Sequence, residues 1–321
     1  MDLIEKSFNL LNEFPENIQE AYNLEVPLIN NKEKIKKILI IGMGGCYVSG
    51  LILKDILNNK IKIPIEISAG SLKKEQIDKF TLIILVSYSG NTKEIIDSFY
   101  NLKKYKKNIF VISSGGKILK IISKSRAIKL PENKHQRFTL AYTCIPIIKF
   151  LERSGLISSY KKNIREIIKA IHKNKEQINK EARKIVLKIK EKIPLIYSCN
   201  SLYSVAYRFQ TSIEEDAKVI CHSNKITEIF HNELEALPDK RFFPILILDK
   251  KQIKPYQQQI SFFKQHIGNY YEFGFEKYRL ELRIFLLIYL IDFIGYHLFL
   301  FKELNKNLLH KTPLSDKIKS L

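Results

Sequence analysis

The chain has 321 residues, 45% of them hydrophobic, which is enough to bury a large core in two domains or one large one. Its four cysteines (Cys46, Cys144, Cys199, Cys221) are scattered with no Cys-x-x-Cys, which argues against a disulfide framework and a structural zinc site and fits a reducing compartment. The net charge is +21, yet the lysines are spread along the chain, and the densest run, Lys161 to Lys192, is interrupted by Glu166, Glu176, Glu181 and Glu191. That pattern reads as solvated helical faces with paired charges, not as a nucleic-acid surface.

In chain order, the opening Met1-Asp-Leu-Ile-Glu5 has neither a basic n-region nor a secretory apolar stretch, so a cytoplasmic protein is expected. Lys37-Ile-Leu-Ile-Ile41 reads as a buried strand, followed by Gly42-Met-Gly-Gly-Cys46 and a helix from Tyr47 to Leu57. Glycines at such a turn let backbone approach a ligand or a neighbouring strand. The spacing matches neither the dinucleotide fingerprint nor a P-loop, since no Gly-Lys-Ser/Thr follows.

Leu82-Ile-Ile-Leu-Val86 is a second buried strand, and it runs into Ser87-Tyr-Ser-Gly-Asn-Thr92 and a helix from Lys93 to Tyr105. A strand, a hydroxyl-rich turn and a helix start form an anion site: free N–H groups point outward, the helix dipole favours negative charge, and Ser87, Ser89 and Thr92 can donate further hydrogen bonds. With no lysine inside the turn, a phosphate monoester suits it better than a nucleoside triphosphate. Further strands follow at Asn108 to Ile112 and Ala127 to Leu130, then an apolar helix from Phe138 to Leu151 and a helical, polar, connecting stretch from Ser154 to Lys192.

A second α/β series starts at Pro194-Leu-Ile-Tyr-Ser198, with a helix from about Ser201 to Lys218 and strands at Arg241 to Leu248 and Tyr270 to Phe275. The expected fold is α/β, two doubly wound subdomains, each a parallel sheet flanked by helices, with domains at 1–153 and 154–321. The segment Ile284 to Phe301 is almost wholly apolar but contains Asp292 and His297, so a buried core helix explains it better than a membrane span. Glu214, Glu215 and Asp216 crowd the end of a helix, where acids are unfavourable unless Arg208 or Lys218 relieves them. His231 opens the next helix-like stretch and is a candidate acid or base.

These motifs together resemble the sugar isomerase (SIS) domain, and within it the bifunctional phosphoglucose/phosphomannose isomerases. The resemblance rests on Gly42 to Cys46, Ser87 to Thr92, Gln136-Arg137, Glu214-Glu-Asp-Ala-Lys218 and His231-Asn-Glu233, in order along essentially the whole chain. It implies a SIS-type fold in each subdomain and a homodimer with shared active sites that acts on hexose 6-phosphates; the reaction chemistry calls for no metal or cofactor, and the charge pattern and the polar residues of the apolar segment leave no nucleic-acid or membrane partner expected. It also implies that Gly44, Gly45, Cys46, Ser87, Ser89 and Thr92 hold the substrate phosphate, and that Glu215 moves the proton between C1 and C2. Arg137 would stabilise the enediolate, His231 would serve ring opening from the partner subunit, and Lys319, with Lys317 as the alternative, would assist at the ring oxygen. These roles agree with the chemistry of aldose–ketose conversion, in which one carboxylate carries the proton through a cis-enediol and a fixed cation meets the growing negative charge. The chain departs from the family pattern at Cys46, Tyr47, Gln136, Glu214, Asp216 and Phe230. The alternatives are an isomerase of another sugar phosphate, such as an aminosugar phosphate, and a non-catalytic sugar-phosphate sensor.

Overall fold

The computed structural model describes residues 3–29, 32–70, 77–132, 134, 136–237 and 239–304. Helices α1 (Leu3–Asn12) and α2 (Phe14–Asn23) precede the first α/β series. That series is β1 (Lys37–Gly42), α3 (Gly45–Leu57), β2 (Ile65–Ser68), β3 (Thr81–Val86), α4 (Lys93–Asn101), β4 (Ile109–Ser113), α5 (Gly116–Ile121) and β5 (Ala127–Lys129). Its strands form a parallel sheet in the order β2-β1-β3-β4-β5. Helices α6 (Leu140–Arg153) and α7 (Lys161–Ile189) lead to the second series. This comprises β6 (Ile193–Ser198), α8 (Tyr203–Ser212), β7 (His222–Lys225), α9 (Ile226–Ile229), β8 (Phe242–Ile247), α10 (Lys250–Ile253), α11 (Gln257–Ile267) and β9 (Tyr271–Glu272). The second sheet, also parallel, runs β7-β6-β8-β9, and α12 (Leu280–Leu304) closes the described chain.

The expected fold class is therefore the observed one, and both sheets place their second strand beside the first and then reverse direction. That reversal lies between β1 and β3 in one sheet and between β6 and β8 in the other. In open parallel sheets the crevice at the carboxyl ends of such a pair is where ligands bind. Alternating residues divide the core. Ile38, Ile40, Leu82 and Ile84 face inward and join Ile196, Ile245 and Ile247 of the second sheet in one cluster with α2, α3, α6, α7, α8 and α12. Leu39, Ile41, Ile83 and Leu85 face the outer helices α4 and α5, and Leu195, Tyr197 and Leu246 pack with α11. A period of two along each strand produces this division.

Several boundaries differ from the sequence reading. Strands β2 and β7 were not expected: their sequences, Ile-Glu-Ile-Ser and His-Ser-Asn-Lys, lack the apolar run of an interior strand because each lies at a sheet edge. The connecting helix begins at Lys161 and not near Ser154, and α4 ends at Asn101.

Helix α12 is, by length and composition, apolar enough to cross a membrane, but 72% of its apolar window is buried inside this fold. Its polar residues have protein partners: Asp292 accepts a hydrogen bond from Arg208 at 2.7 Å, and His297 pairs with Asn179 of α7 at 2.6 Å. Burial, with Arg183 nearby, pushes the His297 pKa down to about 4. The unfolded chain takes up this proton from about pH 6.5, so between pH 6.5 and 4 it binds more protons than the folded one and stability falls as the pH drops. Urea denaturation across this window should show a shallower pH slope in His297→Gln than in the unaltered protein; equal slopes would show that His297 does not contribute.

Candidate active site

The turn from Ser87 to Thr92 leaves the carboxyl end of β3 at the strand reversal, and Thr92 caps the start of α4 in extended geometry. Ser87 is buried, and its hydroxyl bonds the Thr92 hydroxyl at 2.8 Å and accepts the Gly90 N–H at 3.1 Å. Ser89 is half-buried and accepts the Asn91 N–H at 3.3 Å. Gly90 has φ +68°, and a Cβ there would overlap the Gly115 carbonyl oxygen, because the turn is pressed against the parallel turn after β4. Asn91 Oδ1 accepts the Lys117 N–H at 3.0 Å across the same junction.

The first glycine turn lies next to this one. Gly44 and Gly45 are exposed at the start of α3, and a Cβ at Gly42 would come within 2.7 Å of the Cys46 backbone, so the close helix start requires glycine there. Burial pushes the Cys46 thiol up to about 11, partly offset by the Tyr88 backbone N–H that faces it. Cys46 is thus a neutral group that touches the second turn. Tyr47 packs edge-on against Tyr207 of α8 at 5.5 Å, which joins the first sheet's helix to the second half.

Tyr88 ties the turn to the chain that precedes Arg137. Its hydroxyl donates to the Pro131 carbonyl at 2.8 Å and accepts the Lys134 N–H at 3.0 Å, two anchors shortly before Arg137 in the chain. Arg137 then reaches Asp216 at 3.5 Å, and Ser212 holds the other Asp216 oxygen at 2.9 Å. Arg208, buried with Asp292, donates to the Arg137 carbonyl at 3.4 Å. Sequence reasoning treated Arg208 only as a neighbour of the acids and gave Tyr88 no separate role; both roles depend on contacts between distant segments.

Ile213 to Ala217 form a single π-helical turn after α8, and Lys218 follows at φ +55°, the one non-glycine residue with positive φ among those described. Such widened turns are frequent at functional sites, and a left-handed lysine is locally strained. The three acids therefore face different ways. Asp216 turns inward to Arg137, Glu214 accepts from Gln210 at 3.3 Å, and Glu215 is exposed while its carbonyl takes the Lys218 ammonium at 2.7 Å. The ion pair puts Asp216, not Glu215, in direct contact with Arg137, with Glu215 beside them.

His231 lies elsewhere. It is exposed, follows β7 and α9, and its segment packs with the cluster on the other face of the second sheet from α8. The turn at 213–217 packs, through Ile213 and Ala217, with the α8 cluster, so the turn and the His231 segment lie against opposite faces of the second sheet. Tyr197 at 2.7 Å and Asn224 both bond Glu233, two residues after His231, and hold that segment against the sheet. Lys319 and Lys317 lie outside the described residues. Among the described residues no cluster of three His, Cys, Asp or Glu could hold a metal ion.

Gly90→Ala should destabilise the protein by on the order of 1–3 kcal/mol, through both the positive φ and the overlap with Gly115. Chemical denaturation measures it, and a change under about 0.5 kcal/mol, the scale of an ordinary surface substitution, would contradict the packing of the two turns.

Residues 178–306 match the family model of the bacterial phospho-glucose isomerase C-terminal SIS domain. A bifunctional phosphoglucose/phosphomannose isomerase of Caldicellulosiruptor bescii is 29% identical over 320 residues, covering 92% of each chain. A D-glucosamine-6-phosphate 4-epimerase of Sulfolobus acidocaldarius is 28% identical over 250 residues, 76% of this chain and 78% of its own. In fold, the C-terminal domain of glucosamine-fructose-6-phosphate aminotransferase from Francisella tularensis superposes with a TM-score of 0.72 at 14% identity, covering 92% of this chain and 96% of that one. With both turns at the strand reversal, the chain is similar over 92% of its length to a bifunctional phosphoglucose/phosphomannose isomerase, and its residues 178–306 match the SIS domain of bacterial phospho-glucose isomerase.

Proposed function

We propose that this protein interconverts hexose 6-phosphates by aldose–ketose isomerisation, glucose 6-phosphate with fructose 6-phosphate and also mannose 6-phosphate. The observation that carries the reading is the pair of contacts that tie the 87–92 turn, through the Tyr88 hydroxyl, to Pro131 and Lys134 shortly before Arg137, and the Arg137 guanidinium to Asp216 in the acidic turn at 213–217. An anion site, a fixed cation and carboxylates on one rim are what an enediolate reaction needs. On this reading the phosphate sits on the N–H groups and hydroxyls of Ser87, Ser89 and Thr92, with Gly44, Gly45 and Cys46 alongside. Glu215 takes the proton from one carbon and returns it to its neighbour, so no net proton is consumed. Arg137 faces the oxygen that becomes negative. Asp216 orients Arg137 through their ion pair. The C-terminal lysine, Lys319 by resemblance, assists at the ring oxygen.

The functional unit is a homodimer, and the protein is cytoplasmic. The separation of His231 from Glu215 across the second sheet supports a shared site, since one chain does not bring them together. An aminosugar phosphate is the second reading, favoured by three consecutive acids at 214–216, which suit an ammonium group, and by the similarity to the epimerase. Coupled assays with glucose, mannose and glucosamine 6-phosphates separate the two.

Glu215→Gln should lower turnover at least ~100-fold and abolish solvent-deuterium exchange at C2, with sugar-phosphate affinity little changed. Asp216→Asn should keep the exchange and lose up to about 1 kcal/mol, roughly fivefold in rate, as Arg137 loses its partner. If Asp216→Asn abolishes exchange and Glu215→Gln does not, the base is Asp216.

Mixing inactive Glu215→Gln and His231→Ala protomers should restore part of the activity after subunit exchange. No recovery, with exchange verified, would place both residues outside a shared site.

A further inference from the structure

The described chain has a cavity of about 780 Å³ at the amino ends of β4 and β5, the edge of the first sheet opposite the sugar-phosphate turns. Small-molecule sites fall in this size range. Three segments converge there: the stretch after α2 with Glu25, Val26, Pro27 and Leu28, the start of β4 with Lys107 and Phe110, and the approach to β5 with Lys124, Ser125 and Arg126, joined by Arg153 from the end of α6.

Its charge is one-sided. Lys107, Lys124, Arg126 and Arg153 line it with Glu25 as the one lining acid, and among the described residues none of the four cations has a carboxylate partner. The two arginines are nonetheless held in place: Arg126 donates to the Lys106 carbonyl and Arg153 to the Val26 carbonyl. Each guanidinium keeps further N–H donors for a ligand, and fixing the head in advance lowers the cost of binding. The lining also has apolar residues, Val26, Pro27, Leu28 and Phe110, of which Leu28 is 50% exposed. An exposed leucine beside unpaired cations matches a ligand that has both an apolar body and multiple negative charges.

We propose that this cavity is a second ligand site, separate from the isomerase site, for a nucleoside polyphosphate: the phosphates among Lys107, Lys124, Arg126 and Arg153, the base against Pro27, Leu28 and Phe110. It does not depend on the isomerase reading, because no residue is shared with the 87–92 turn or the 213–217 turn.

Calorimetric titration of the full chain tests it with ATP and with pyrophosphate as probes. ATP should bind, with affinity reduced at least tenfold in Lys107→Ala/Lys124→Ala and severalfold in Leu28→Ser, and unchanged in Ser89→Ala. Both lysine side chains are exposed, so their truncation keeps the fold. Removing two distant charges, in Lys251→Ala/Lys254→Ala, should leave the affinity unchanged. The proposal is overturned by absence of ATP binding or by loss of binding in Ser89→Ala, which would place ATP at the sugar-phosphate turn. An equal loss in the distant variant would mean non-specific attraction to a basic protein, and pyrophosphate binding as tightly as ATP would remove any role for the apolar lining; either also overturns it.

Discussion

The arrangement of the candidate site rests on Arg208. This side chain is 4% exposed, and one of its nitrogens bonds both Asp292 of α12 and the carbonyl of Arg137. A buried charge needs a partner, and breaking a pair like this one typically costs about 3–5 kcal/mol because the remaining charge is left uncompensated. Burial raises the Asp292 pKa, an effect that Arg208 only partly offsets. The pair therefore fixes the depth of α12 in the core, the rotation of α8 and the position of the Arg137 backbone together. Gly295, one turn further along α12, leaves room for Asp216: a Cβ there would lie 2.9 Å from the carboxylate. The core helix and the site are built as one unit.

A second link holds the two sheets together. Asp55, near the end of α3, accepts the Ser204 N–H at 3.1 Å, where α8 has no side-chain cap of its own. A carboxylate at a helix N-terminus meets the positive end of the dipole. Burial pushes Asp55 up to about 6, partly offset by Ser204. Its charge is thus most costly in the place where it is most useful, between α3 and α8, where Tyr47 also meets Tyr207.

How much of this was legible in the sequence follows from the range of each interaction. The apolar runs at Ile38–Ile41, Leu82–Val86 and Leu195–Tyr197 announce interior strands because both faces of a parallel sheet are covered. Edge strands β2 and β7 carry no such run, since Glu66 and His222 can face solvent. The serine turn was recognisable because its chemistry is local. The pairing of Arg137 with Asp216 was not, because it joins residues far apart in the chain, and neither was the π turn, which changes where three consecutive acids point without changing their spelling. The position of His231 on the far face of the second sheet is likewise a property of topology: a histidine four residues or forty from an acid looks the same until the sheet between them is drawn.

Tyr88 belongs at once to the anion turn and, through its hydroxyl, to the segment that carries Arg137. A phosphate held in the turn therefore acts on a residue that also grips the chain shortly before Arg137. On the proposed reading, a sugar's phosphate, although remote from C1 and C2, becomes part of the reaction: its binding energy goes into holding the cation where negative charge will develop, and not merely into affinity. A free hexose has the same reacting carbons but nothing to place in the turn. Selectivity for phosphorylated sugars would then appear in turnover as well as in binding, built in by one hydrogen-bonded tyrosine.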